Sequence, residues 1–331
     1  MNFVLAVLVV STASAVAQPR IGVIEVYGAR KVSKAKILRE LGVNPGDLLP
    51  RSKGDVEERL EAIDGVLRAR LEAFCCDAGK PILYVGIEER GAPVFALKEE
   101  PSGELTLPGE IVEAYREFAD ALARAARDGD VAEDLSAGHS LMENIACRRA
   151  QQRLLGLAEL HEATLRRVLK ESADPEQRTV AAYVIGYAPD KRKVIADLQA
   201  AVQDPSEEVR ANAARGLRAI AVLARKDPEQ KLRVTGTWFV EMLHSTVLSD
   251  RLLGANVLEE LSESRDDENL LINIRERGMV PLQEMARWHH LPHAVPAFLI
   301  LGRVAGWKEQ DIEAAWASGE REKALEKMFR K

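Results

Sequence analysis

The chain has 331 residues, of which 30% are charged and only 5% aromatic, and its formal net charge at pH 7 is −6. Because no basic patch stands out along the chain, we expect no DNA or RNA partner. The composition favours a soluble, helix-rich protein of about two domains packed through Ala and Leu over a β-sandwich.

The N-terminal segment predicts export from the cytoplasm. An apolar run over residues 3–10 is followed by small residues that end in Ala-Val-Ala at 15–17. The run is too short to span a bilayer as a helix, and Ala-x-Ala before Gln18 fits a signal-peptidase site. We therefore expect residues 1–17 to be a signal peptide and the mature chain to be periplasmic. A buried strand is the alternative, since no Lys or Arg precedes the run.

Residues 20–90 predict a small unit with the element order β-α-α-β-β. "RIGVIEVYG" alternates apolar residues and predicts a strand that ends at Gly28. Two helices follow, the first of them capped by Ser33 and ended by Gly42. "LRARLEAF" and "PILYVGIEE" then predict two strands of a hairpin that turns at "CCDAGK".

The landmarks of this unit resemble those of a polypeptide-transport-associated (POTRA) domain. Val26-x-Gly28, Gly46-Asp47 and Gly65-Val66 stand in the order of that family. The resemblance implies a periplasmic module that binds protein partners, often by adding a partner's strand to the edge of a sheet.

The same resemblance implies that the last strand, residues 82–87, lies in the centre of the sheet and that residues 68–74 form an edge. Unpaired backbone groups on such an edge are available to a partner strand. One of Arg70 and Glu72 is then expected to point its backbone donor outward. The charges along this strand also suit a protected edge without a partner, which is the alternative. The candidate binding residues are Arg68, Arg70, Glu72 and Phe74.

Cys75, Cys76 and Cys147 leave the disulfide state open. Adjacent cysteines rarely pair with each other, because the ring is strained. One of Cys75 and Cys76 bridged to Cys147 is one alternative, and three half-buried thiols are the other. No C-x-x-C motif is present, so nothing indicates a redox or zinc-ribbon role.

Residues 91–108 predict either a connecting β-hairpin or an extended linker, and residues 109–331 predict helices. Within the helical part, "DPEQRTVAAYVIG" from Asp174 and "DPSEEVRANAARGL" from Asp204 share a pattern. Each Asp is expected at an N-cap with Pro at the first helical position, and Arg178 aligns with Arg210. The Ala-Ala pairs that follow allow helices to approach closely.

Weaker copies of this pattern occur at "RLLGANVL" and "AVPAFLILG". Repeats of roughly 30 to 45 residues built from two helices are typical of an α-solenoid. The pattern resembles HEAT-like repeats, including those of the phycobilisome-lyase type. A plain helical bundle is the alternative.

Three histidine- or serine-containing motifs are candidates for chemical sites. "HEATL" at His161 lacks the second histidine of a zinc-protease motif, and Ser140 in "GHSLM" is expected to cap a helix. His289 and His293 in "WHHLPH" are four apart and are weak candidates for a metal or pH-sensing site. Since Pro292 disfavours an unbroken helix there, a polar loop between helices is the alternative.

The predicted fold is α+β and mostly α, with a small β-α-α-β-β domain followed by an α-solenoid. The predicted parts are a signal peptide (1–17), a POTRA-like domain (18–90), a linker or hairpin (91–108) and a HEAT-like domain (109–331). We expect an exported, non-catalytic scaffold without a cofactor that binds envelope proteins or peptides. The alternative is a repeat-type enzyme or ligand or metal carrier that resembles chromophore lyases.

Overall fold

The computed structural model describes residues 19–330, apart from the side chain of Cys75. The predicted signal peptide, residues 1–17, lies outside the described residues. The predicted fold class is confirmed: a small sheet unit precedes a stack of helix pairs. The elements of the sheet unit are β1 (Val23–Tyr27), α1 (Lys34–Leu41), α2 (Lys53–Glu61), β2 (Val66–Asp77) and β3 (Lys80–Glu89).

The sheet has β3 between β1 and β2, parallel to β1 and antiparallel to β2. The expectation that the last strand lies in the centre and the preceding one at an edge is therefore confirmed. The hairpin is tighter than "CCDAGK" suggests, because Asp77 pairs with Lys80. Ala78 and Gly79 form the turn with φ of 47° and 76°, and a two-residue hairpin turn of this kind needs positive φ at both positions.

The two helices cover one face of the sheet. Ser33 caps α1 by accepting a hydrogen bond from the amide of Lys36, and Gly42 ends it in the left-handed region, as predicted. Ile37, Leu41 and residues of α2 bury against the sheet and form a separate small core. The opposite face of the sheet packs on the helical part of the chain.

Residues 91–108 form an extended segment rather than a hairpin. This connecting segment crosses the turns between helices. The amide of Lys98 donates to the carbonyl of Gln203 at 2.8 Å, and Gly103 forms a parallel bridge with Ser172. The turns before two of the repeat helices are thus covered by the chain's own N-terminal half.

The rest of the described chain is mainly helical. It contains one small hairpin, whose two strands have two residues each. No helix within residues 19–330 combines the length and apolar character needed to cross a membrane. The elements are α3 (Gly109–Arg127), β4 (Glu133–Asp134), β5 (Leu141–Met142), α4 (Ile145–Leu160), α5 (Glu162–Glu171), α6 (Pro175–Ile185), α7 (Lys191–Ala201), α8 (Glu207–Lys226), α9 (Thr237–Met242), α10 (Leu248–Ser262), α11 (Glu268–Asn273), α12 (Met279–Met285), α13 (Leu291–Val304), α14 (Glu309–Ala317) and α15 (Arg321–Phe329).

Helices α6, α8, α10 and α13 stack side by side in one row, and each also packs against the helix before it. Ala213 and Ala214 of α8 are fully buried. A side chain at Gly254 of α10 would place its Cβ 2.9 Å from the carbonyl oxygen of Phe239. Small residues therefore set the close spacing of the stack, as the sequence pattern predicts.

The Asp-Pro motifs start helices in two different ways. Asp174 caps α6 as predicted, with Pro175 at the first helical position. The same prediction for Asp204 is wrong: Ser206 caps α8, which begins at Glu207. The carboxylate of Asp204 is bound by Arg178 instead.

Candidate functional site

A ladder of buried arginine–aspartate pairs joins the repeats. Arg178 donates Nε and Nη2 to the two carboxylate oxygens of Asp204, both at 2.9 Å. Arg210 binds Asp250 in the same way at 2.8 and 2.9 Å. Each guanidinium also donates to two carbonyls in the turn before its own helix. The aligned arginines of the sequence repeat are therefore the residues that tie one repeat to the next.

A third arginine continues the ladder from α10. Arg251 donates Nε to the carbonyl of Ser245 at 2.7 Å and Nη1 to Glu284 Oε2 at 3.2 Å. Its guanidinium carbon also lies 4.4 Å from the centre of the Tyr27 ring. Arg251 thus contacts both the next repeat and the sheet.

The face of the sheet opposite α1 and α2 is docked on the turns before α10 and α13. Tyr27 Oη donates to the carbonyl of Thr246 at 2.7 Å, and Tyr84 Oη lies 2.8 Å from His293 Nδ1. The Trp288 ring packs on both tyrosine rings. Burial raises the pKa of both tyrosines, so both stay neutral. Sheet and repeats share one continuous hydrophobic core.

Two carboxylates of the sheet also contact the repeats, by accepting hydrogen bonds from backbone amides at or just before the start of a helix. Glu72 Oε1 accepts from the amide of Leu248, the first residue of α10, at 2.8 Å. Helix α10 has no side-chain cap of its own. Glu25 Oε1 accepts from the amide of His289 at 2.8 Å, just before α13. Negative groups are favourable at helix N-termini, so the sheet stabilises helices of the repeats.

Three of the four predicted binding residues on β2 contact the repeats, and one of these three, Arg70, is also exposed. Arg70 Nη2 lies 3.4 Å from Glu207 Oε2, and Glu72 caps α10. The Phe74 ring packs against His293, with ring centres 4.4 Å apart. Arg68 is exposed. Three of the four candidates are therefore engaged inside this chain.

Two backbone donors on the outer edge of β2 are also satisfied. The amide of Ala69 donates to Glu61 Oε1 at 3.0 Å, and the amide of Leu71 donates to Glu57 Oε1 at 2.7 Å. Both carboxylates come from α2. The outward donors thus belong to residues 69 and 71, and the expectation of one at 70 or 72 is wrong, since residues two apart share an edge.

The two candidate metal-binding histidines have separate partners. His289 Nδ1 lies 2.7 Å from Glu25 Oε1, whereas His293 Nδ1 lies against Tyr84. Across residues 19–330, no cluster of three His, Cys, Asp or Glu side chains is placed to hold a metal. Helix α13 begins at Leu291, so His293 is helical and His289 lies in the turn. Burial lowers the pKa of His293 to about 4.

The cysteines follow neither of the expected arrangements. Cys147 is buried and carries a free thiol, so the bridge from Cys75 or Cys76 to Cys147 is not formed. Cys76 is disulfide-bonded, so the alternative of three thiols is also wrong. Burial raises the pKa of the Cys147 thiol, which keeps it protonated and unreactive.

Ser140 and His161 serve local structure. Ser140 Oγ donates to Glu133 Oε2 at 2.6 Å, and Asn144 caps α4, so the prediction that Ser140 caps a helix is wrong. His161 lies at the junction of α4 and α5, where its Nε2 is 2.8 Å from Glu110 Oε1.

A continuous surface of α8, α10 and α13 stays partly or fully exposed. Arg225 of α8 reaches Glu260 of α10 at 2.7 Å, so the exposed faces of these neighbouring helices adjoin. Nε of Arg218 has no hydrogen-bond partner within residues 19–330. Burial raises the pKa of the neighbouring Glu259. This surface, called here the open helical face, consists of Glu208, Arg215, Arg218, Leu252, Asn256, Glu259, Val295 and Leu299.

No curated protein matches the chain. A family model does match part of it, and this match agrees with the stacking of the helices. The family model of HEAT repeats matches residues 162–234, which contain α5 to α8 and both strong copies of the Asp-Pro motif. This part of the chain is therefore similar to HEAT repeats, which belong to the helical-repeat class with extended binding surfaces.

Proposed function

We propose that the protein is an exported, non-catalytic scaffold that binds proteins or peptides of the cell envelope through its helical repeats. The observation that carries the proposal is the open helical face on a stack of helix pairs, part of which matches HEAT repeats. Such stacks use extended surfaces for binding. The face mixes arginines, carboxylates and aliphatic side chains, as protein-binding surfaces do.

The POTRA-like sheet unit has a supporting role in this proposal. The order β-α-α-β-β with β3 in the centre is what supports the resemblance. The face of the sheet opposite α1 and α2 is docked on the repeats, and the amides of Ala69 and Leu71 on the outer edge of β2 are satisfied. We therefore assign the sheet to holding the repeats in place. The partner then binds at the open helical face.

Binding at the open helical face is tested with the mature chain as bait in envelope extracts. Reversing the charge of an exposed residue there, Arg215→Glu, is expected to reduce capture of the specific partner by about tenfold or more. Arg233→Glu is the matched control, because Arg233 is also exposed, pairs with Asp267 at 3.3 Å and is not part of the open helical face. Equal capture by both variants contradicts the proposed surface. A co-purifying small molecule in place of a protein favours the ligand carrier.

Export is tested separately, on protein purified from its native host. N-terminal sequencing is expected to begin at Gln18, since Ala17 would be the last residue of the signal peptide. A cytoplasmic protein that retains Met1 would overturn the periplasmic part of the proposal and leave the scaffold part standing.

A further inference from the structure

A cleft of about 530 Å³ lies where α6 and α8 end, whereas the sheet is docked at the starts of α10 and α13. It is formed by the loop before β5, one side of α4, the turn between α6 and α7, and the end of α8. Its volume suits a small ligand or the end of a peptide. The lining residues are Ala137, His139, Leu155, Glu159, Lys191 and Leu223, together with Gly156, Tyr187, Pro189 and Gln230.

Lys191 brings a buried positive charge to this cleft. Its Nζ donates one hydrogen bond, to the carbonyl of Gly186 at 2.7 Å. The ammonium has three donors, and in the described part of the chain none of them is paired with a carboxylate. Burial lowers the pKa of Lys191 to about 8, so the charge is present at pH 7. A buried ammonium without a counter-ion favours an anion beside it.

His139 lies beside this charge and is neutral. Burial and the nearby Lys191 lower its pKa to about 4. Its ring centre is 5.3 Å from that of Tyr187, whose Oη donates to the carbonyl of Ser140 at 3.0 Å. The loop that carries His139 is therefore fixed against the α6–α7 turn. A hydrogen bond to the backbone of Ala137 opposes this fall in the pKa of His139, and the buried Nδ1 has no hydrogen-bond partner within residues 19–330.

We propose that this cleft binds the carboxylate group of an organic acid. Lys191 donates to the carboxylate, His139 lines the cleft beside it without adding charge, and Leu155 and Leu223 contact the apolar part of the acid. Glu159 on the rim repels a dianion, which favours a monocarboxylate over a phosphate. The site goes beyond the scaffold function and does not depend on it, since the lining of the cleft shares no residue with the open helical face.

The first test measures octanoate binding by isothermal titration calorimetry. The parent protein is expected to bind octanoate, and Lys191→Met is expected to weaken binding at least tenfold, which is about what a lost charge-assisted hydrogen bond costs. The matched control is Lys193→Met, because Lys193 is exposed on the same helix and pairs with Asp190. Equal weakening by both variants, or unchanged binding to Lys191→Met, overturns the proposal.

A second variant blocks the cleft without removing a contact. A Cβ at Gly156 meets nothing within 4 Å, so Gly156→Phe is expected to fold and to fill the cleft. Gly54→Phe on α2 is the matched control, since a Cβ at Gly54 also meets nothing within 4 Å. Octanoate is expected to bind the control and not Gly156→Phe. Parent-like binding to Gly156→Phe would place octanoate elsewhere and overturn the site.

The source of the carboxylate is distinguished by a short peptide. Ala-Leu-Leu with a free carboxyl end represents a chain terminus, and octanoate represents a free acid. Binding of either probe that is lost in Lys191→Met and Gly156→Phe supports the site, and the tighter probe identifies the source. Binding of the amidated peptide at equal affinity, or of inorganic phosphate as tightly as octanoate, contradicts it. Failure of both carboxylates to bind also overturns it.

Discussion

At the scale of single residues, the stacking of the repeats depends on buried arginine–aspartate pairs. Arg178 and Arg210 hold equivalent places in two repeats, and each is buried against an aspartate of the next repeat. Burying two charges is costly unless their geometry and remaining hydrogen bonds are complete. Both guanidiniums meet that condition, since their other donors bind turn carbonyls. We infer that the ladder sets the register between repeats.

Replacing one member of a buried pair is expected to destabilise the protein strongly. Arg210→Met leaves the carboxylate of Asp250 buried without its partner, which costs about 3–5 kcal/mol. Urea denaturation measures the loss. Arg233→Met, in an exposed pair with Asp267, is the control and is expected to cost at most about 1 kcal/mol. Similar losses in both variants would show that the ladder is not what holds the repeats together.

The histidine at the docked sheet makes stability depend on pH. The pKa of His293 falls from its ordinary 6.5 to about 4 in the folded protein. The unfolded chain therefore binds more protons between these values, so the stability is fully present above pH 6.5 and is lost as pH falls toward 4.

His293→Gln is expected to flatten this dependence by at most about 1.4 kcal/mol per pH unit. Urea denaturation at pH 7 and at pH 5 measures it. His139 and His244 titrate in the same direction, so the variant keeps part of the slope. Identical slopes for variant and parent would mean that folding does not lower the pKa of His293.

The sequence revealed one half of the residue-scale ladder. Aligning the two Asp-Pro motifs superimposes Arg178 on Arg210, and both bind aspartates. The partner Asp250 lies 40 residues after Arg210 and outside any Asp-Pro motif. A pairing of that kind follows from the stacking of helices, and no local pattern encodes it. The sequence likewise predicts Tyr27 and Tyr84 only as strand residues, and it does not indicate that their side chains contact the repeats.

At the scale of elements, small side chains decide how closely helices stack. Ala213→Leu and Ala214→Leu are each expected to cost on the order of 1–3 kcal/mol, because both positions are fully buried in α8. Thermal melting measures the loss. Arg215→Leu on the exposed side of the same helix is the control and is expected to melt near the parent. Unchanged melting of both alanine variants would contradict the close contact.

The edge of β2 is protected by two side chains of α2. Replacing both with Glu57→Ala and Glu61→Ala leaves the amides of Leu71 and Ala69 without acceptors. An uncovered edge pairs with other chains, so this double variant is expected to self-associate with rising concentration. Glu57→Gln with Glu61→Gln keeps an acceptor and is expected to match the parent in analytical ultracentrifugation. Monomeric behaviour of the alanine variant would show that other features protect the edge.

Element order was largely predictable, because alternation and helical periodicity depend on neighbours in the sequence. Ser33 and Gly42 bound α1 as their types suggest. The start of α8 was not predictable from the Asp-Pro motif. The side chain of Asp204 is equally suited to cap a helix and to bind an arginine. It binds Arg178, which lies 26 residues earlier in the chain, and therefore does not cap α8. The docking of the sheet on the repeats was not predictable either, because it also depends on residues that are far apart in the sequence.

At the scale of the whole molecule, one core extends from the sheet into the repeats. The parent is therefore expected to unfold in a single calorimetric transition. Tyr27→Ala removes a fully buried ring and is expected to cost about 3–5 kcal/mol and to separate an earlier transition of the sheet unit. Leu67→Ala, at an exposed position of β2, is the control. Two transitions in the parent would mean that the sheet and repeats fold independently.

The bond between Tyr27 and Thr246 joins residues 219 positions apart. A ribosome adds roughly 5–20 residues per second, so the first strand waits on the order of ten seconds or more before its binding surface has been synthesised. During that time the tyrosine face of the sheet has nothing to cover it, and the core cannot close. A fold whose beginning is completed by its later part therefore closes only after most of the chain has been synthesised.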